Sequence, residues 1–272
     1  MINRFLTYCK KKRFLFPNVY IGRITIAILL TAILFFSFII IWFNHNALQS
    51  VNHKTIHQPI NVFSSIVYLL VAIIILGENL KKMNYKSNTL NKENLIHKTV
   101  FALVLLYIFI ASSLYHSLLT KSSLKMDYSA VYFFSLFPVM YFNYQWLITN
   151  TNFTKQKSIF LIYIIYLSTC ICLSIYAPIG KEELVTFACI VLFFAFVAYF
   201  FKQKRTDFKY VFLSVGCIIV GLFWFELDKF LAVHYPNNRF RTHSLWNLFI
   251  GLSGFYFYIF IRDQDYEDKK LE

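Results

Sequence analysis

The chain has 272 residues, of which 58% are hydrophobic and 20% aromatic against only 15% charged. With a mean hydropathy of +0.55, this composition excludes an ordinary soluble domain and a disordered chain, and it reads as an all-α, polytopic membrane protein. The formal net charge of +14 does not point to nucleic acid, because the basic residues gather in alternate connections between apolar stretches.

A membrane-spanning helix needs about 20 mostly apolar residues, since its backbone polar groups must be satisfied within the segment. Stretches of that kind fall at roughly 24–43, 58–77, 98–119, 127–148, 158–177, 184–201, 208–231 and 242–261, which predicts eight spans. The first follows the basic segment MINRFLTYCKKKRFLFPNVYIGR. Its length and the lack of a small-residue cleavage site predict a retained span, not a signal peptide. The loops containing KKMNYKSNTLNKENLIHK, TKQK and FKQKRTDFK follow the second, fourth and sixth spans. The positive-inside rule puts these loops and the N-terminus in the cytoplasm, and an even number of spans brings the tail RDQDYEDKKLE to the same side. A bacterial inner membrane suits an outward-facing site and the absence of eukaryotic retention signals. Between the fifth and sixth spans, APIGKEE predicts a tight turn. Cys9, Cys170, Cys172, Cys189 and Cys217 lie in the basic N-terminus or in apolar helices without a C-x-x-C pair, so they read as small packing residues.

Polar side chains inside spans are costly, and their positions carry information. The second span begins QPINVFSS, which puts Gln58, Asn61, Ser64 and Ser65 near the outer surface. The third ends ASSLYHSLLT, with Ser112 and His116 about 6 Å apart on one helical face. Asp127 opens the fourth. Glu226 and Asp228 end the seventh in FWFELDK, and the eighth starts with His243 and Asn247, again four residues apart. Five helices thus present polar residues at one end, which predicts a shared site there.

Each residue alone has a plainer reading. A single histidine at a helix end is more often an interfacial group with a satisfied hydrogen bond. Asp127 could serve as an N-cap, Ser112 could bond back to a carbonyl one turn earlier, and Gln58 and Asn61 could join helices. Glu226 and Asp228 could stand in water, and His45, His53, His57 and His234 fall in predicted outer loops. A transporter would want midplane charges or broken helices, and apart from Pro138 the chain has neither.

Ser112 and His116 in SSLYH, Asp127 eleven residues later, and His243 and Trp246 in HSLWN followed by LFIGLSGF form an ordered set. With QPINVFSSIVYLL and FWFELDK, this set resembles the alkaline ceramidase family of the CREST superfamily, seven-helix membrane hydrolases. The likeness covers about 58–262. It implies a seven-helix domain over 58–262, an extra transmembrane helix within 1–57, and a cytoplasmic tail over 263–272. By resemblance, His116, His243 and Asn247 occupy the zinc-ligand positions, Asp127 would orient a water and carry its proton, and Ser112 would donate to the developing oxyanion. The implied reaction is hydrolysis of the amide bond of ceramide or another N-acyl membrane lipid.

Two departures stand out. The family has histidine where this chain has Asn247, and an amide oxygen is a poorer zinc ligand than imidazole. His234, Asp127 or Glu226 could complete such a shell. The family's calcium-binding acidic segment is also missing: FNHNALQSVNHKTIH has no carboxylate and the family's glutamate is Gln58, so no calcium is expected. The competing expectation is an inactive member of the same fold that binds lipid as a receptor or scaffold.

Overall fold

The structure, a computed structural model, describes residues 58–84, 92–151, 154–176, 188, 208–234 and 242–271. These form helices α1 (Pro59–Ser64), α2 (Ile66–Asn84), α3 (Lys92–Leu118), α4 (Lys121–Asn150), α5 (Lys155–Tyr176), α6 (Lys209–His234) and α7 (His243–Leu271). Among the described residues, five helical segments are long and apolar enough to cross a membrane: Pro59–Lys81, Asn94–Leu118, Lys157–Tyr176, Lys209–Leu231 and His243–Gln264. The protein is therefore a multi-pass membrane protein. The stretch 127–148 is helical as part of α4, whose Tyr, Asn and Gln residues lower its hydropathy. The expected spans 24–43 and, except for residue 188, 184–201 lie outside the described residues.

Helix α7 organises the described bundle. It packs along α6 and also meets α1, α2 and α3, while α3 lies against α2 and α4, and α4 against α5. Its most apolar stretch is 78% buried, against 22% for α5 and 28% for α6, so α7 is the interior helix among those described. On α5, Phe160, Ile164, Ile165, Ile171 and Ile175 are exposed, as expected of a face turned to lipid. At one end of α7, Tyr258 donates to the Glu78 carboxylate, and Arg262 stands 3.9 Å from the same carboxylate.

Close approach of α7 to α2 depends on a small residue. A Cβ on Gly251 would lie 2.7 Å from both γ-carbons of Val67, and small residues at such crossings let membrane helices pack by van der Waals contact. Gly251→Ala is expected to destabilise the protein by about 1–3 kcal/mol, the usual cost of overpacking. Adding Val67→Ala should recover part of the loss. Unfolding of both variants in detergent checks this, and equal stability of Gly251→Ala and the native chain would count against the close contact.

Two local features set the polar end. Pro59 occupies the first turn of α1, where its missing N–H is no loss. Ser64 and Ser65 donate back to the carbonyls of Asn61 and Val62 at 2.8 and 2.6 Å, at the break between α1 and α2. Helix α3 stops at Leu118, and Leu119 takes a left-handed φ of 50°. Thr120 then caps α4 in a reciprocal capping box with Ser123. The N-cap of α4 is therefore Thr120, and Asp127 stands two turns inside the helix. The N-cap reading of Asp127 is thereby overturned, because Thr-x-x-Ser satisfies the free amides earlier in the chain.

Candidate functional site at the polar end of the bundle

His116 of α3 and His243 of α7, 127 positions apart in sequence, meet here. His116 Nε2 and His243 Nε2 are 3.2 Å apart. Two nitrogens each about 2.05 Å from a tetrahedral zinc would lie about 3.3 Å from one another, so the pair has the spacing of two zinc ligands. Around them, His243 packs on Phe225, whose ring also faces Trp246. Thr242, just before α7, holds its hydroxyl 3.2 Å from the Trp224 carbonyl and 3.3 Å from the Asp228 carboxylate. Asp228 thus ties the end of α6 to the start of α7.

Ser112, Asp127, His243 and Asn247 line one cavity of about 70 Å³. Several waters fit in that space, since one needs about 10–15 Å³ of such volume. The cavity continues past Ser214 and Ser253, which hydrogen bond to each other at 2.9 Å. It reaches Phe101, Phe134 and Phe257. From His243 to Phe257 the lining of α7 covers about 21 Å at the rise of an α-helix. The result is a narrow slot, polar at the histidine end and aromatic at the other.

Asn247 behaves differently from the two histidines. It is buried, and its Oδ1 accepts from the Tyr68 hydroxyl at 3.1 Å. Its Nδ2 donates to Ser64 Oγ at 2.7 Å and, more weakly, to the Asn61 carbonyl at 3.4 Å. These contacts are all with α1 and α2. The amide at the expected ligand position is taken up in joining helices.

Of the other candidates for completing a metal shell, Asp127 lines the same cavity as His243, and the remaining two have other partners. Glu226 is exposed and paired with Lys229 at 3.2 Å. His234 is exposed, donates from Nδ1 to the Phe230 carbonyl at 3.0 Å, and stacks on the Phe230 ring. Among the described residues, no three His, Cys, Asp or Glu side chains gather closely enough to hold a metal ion. His45, His53 and His57 lie outside the described residues.

Sequence reading missed Tyr68 and the pairing of Gln58 with His116. Gln58 accepts from His116 Nδ1 at 2.7 Å. Tyr68 continues the stripe of Asn61, Ser64 and Ser65 by one more turn, and extending that i, i+3, i+7 pattern would have found it. Nothing local in the sequence signals the Gln58 contact. Comparison of the chain with family models and with curated proteins finds no match.

Proposed function

We propose that this protein is an integral-membrane amidase that hydrolyses N-acyl lipids of the ceramide type, with zinc as its cofactor. One observation carries the reading: two imidazole Nε2 atoms converge to 3.2 Å at the polar end of a slot that Ser112 and Asp127 also line. In this reading the acyl chain lies along the apolar part of the slot, and the amide carbonyl stands among Ser112, Asp127 and His243. When bound, zinc would supply the Lewis acidity that makes water nucleophilic near neutral pH.

The remaining roles belong to side chains of this chain. Asp127 accepts a proton from the attacking water and returns it to the departing amine. Ser112 donates its hydroxyl hydrogen to the oxygen that gains charge as the carbonyl becomes tetrahedral. The C–N bond then breaks. One water is consumed, and a fatty acid and an amine are released. The same proposal has the chain cross the membrane eight times with both termini cytoplasmic, as the distribution of Lys and Arg requires.

The engagement of Asn247 with Tyr68 and Ser64 favours a second reading, in which the site holds lipid without turnover. Elemental analysis of zinc and assay of fatty-acid release on the purified full chain separate the two. The amidase reading expects about one zinc per chain and release that stops with a chelator and in His116→Ala and His243→Ala. Activity that survives both substitutions sinks it. If the native chain carries no zinc while Asn247→His acquires it, the lipid-binding reading takes over.

A further inference from the structure

His116 is held from one side as well as facing its partner. Its Nδ1 lies 2.7 Å from Gln58 Oε1. The Gln58 backbone N–H donates to the His116 carbonyl at 3.0 Å, one of the last carbonyls of α3, which have no acceptor role within the helix. The Gln58 amide has a second contact: Asn61 Nδ2 donates to Oε1 at 2.9 Å, which is consistent with the oxygen facing His116. Asn61 is 3% exposed, and its carbonyl receives Asn247 Nδ2. A polar ring therefore runs from His243 through His116, Gln58 and Asn61 to Asn247, which lies one turn below His243 on α7.

We propose that Gln58 is a positioning residue for His116, holding its neutral ring as the Nδ1–H tautomer so that the Nε2 lone pair faces His243. An oxygen acceptor at Nδ1 requires the hydrogen there, and a neutral imidazole has only one. Two lone pairs 3.2 Å apart would repel, so His243 Nε2 carries the hydrogen between the rings until a cation takes its place. Outer partners of this kind commonly fix the orientation and basicity of a ligating histidine. Here the partner is a neutral amide, which sets the tautomer without adding charge to a buried pair. Asn247 belongs to the same frame through its donation to Ser64 Oγ at 2.7 Å and a weaker one to the Asn61 main-chain carbonyl, which gives the buried amide a use other than ligation.

The inference rests on the reading of His116 and His243 as the working pair of the site, but not on turnover. Nitrogen-15 NMR of the metal-free, histidine-labelled full chain in lipid nanodiscs tests it, with the His116 signals identified by their loss in His116→Gln. The expected spectrum has His116 protonated at Nδ1 and bare at Nε2. Gln58→Met, which fills the space without an acceptor, should give a mixture of tautomers and weaken zinc binding by about 10–100-fold. Protonation of His116 at Nε2 in the native chain would mean that the Gln58 amide is turned over, and it overturns the proposal. So does a Gln58→Met chain that keeps the single Nδ1–H form. Because no metal or substrate is present, lack of zinc or of fatty-acid release would defeat the amidase reading and leave this result standing.

Discussion

Asp127→Asn is expected to slow fatty-acid release about 10²–10⁴-fold, the range contributed by a well-placed general base, while binding of the uncleaved lipid stays unchanged. Asp127 lies two turns into α4 and lines the slot together with Ser112 and His243. Asparagine has nearly the same shape and keeps polar contacts in the helix, but it cannot take up a proton from water. The loss should therefore fall on kcat, with little change in KM where binding precedes slow chemistry. Steady-state assay of an N-acyl lipid against a binding titration checks both parts. Equal rates for Asp127→Asn and the native chain would remove Asp127 from the chemistry, whatever the role of the histidines.

Phe257→Ala should change two quantities together. Phe257 is 2% exposed and its ring meets Phe101, Phe137 and Tyr141 at centroid distances of 5.7, 6.2 and 6.0 Å. Truncation would leave a void lined by rings that cannot close on it, costing about 3 kcal/mol, the lower end of the range for such a change. The lower end applies because lipid is as apolar as the site, so lost packing contacts outweigh any transfer term. The void opens at the aromatic end of the slot, where the tail of an acyl chain would stop. Longer acyl chains should therefore bind the variant better than they bind the native chain, and their presence should restore part of its stability, since a ligand of the folded state shifts unfolding by mass action. Thermal unfolding with a series of N-acyl lipids of rising chain length measures both effects. An unchanged preference for chain length would show that the tail does not reach Phe257.

Length and hydropathy by themselves determined that this is a helical, multi-pass membrane protein, because the need to satisfy every backbone group within the segment writes itself into about 20 consecutive residues. Helical period likewise made Ser112 with His116, and His243 with Asn247, legible as pairs on single faces. The break at Ser64 and Ser65 and the true cap at Thr120 were harder to read, because several serines and threonines near a helix end compete for the same free amides. Only the tertiary structure decided which pairs meet. The approach of His116 to His243 depends on how closely α7 packs against α3, where a Cβ on Gly254 would meet Leu105 at 3.2 Å, a contact between residues far apart in sequence. The direction of Asn247 was likewise beyond the pattern of its own helix. An amide can turn its oxygen and nitrogen to whatever partners surround it, and those partners, Tyr68, Ser64 and Asn61, belong to the helices on which α7 comes to rest.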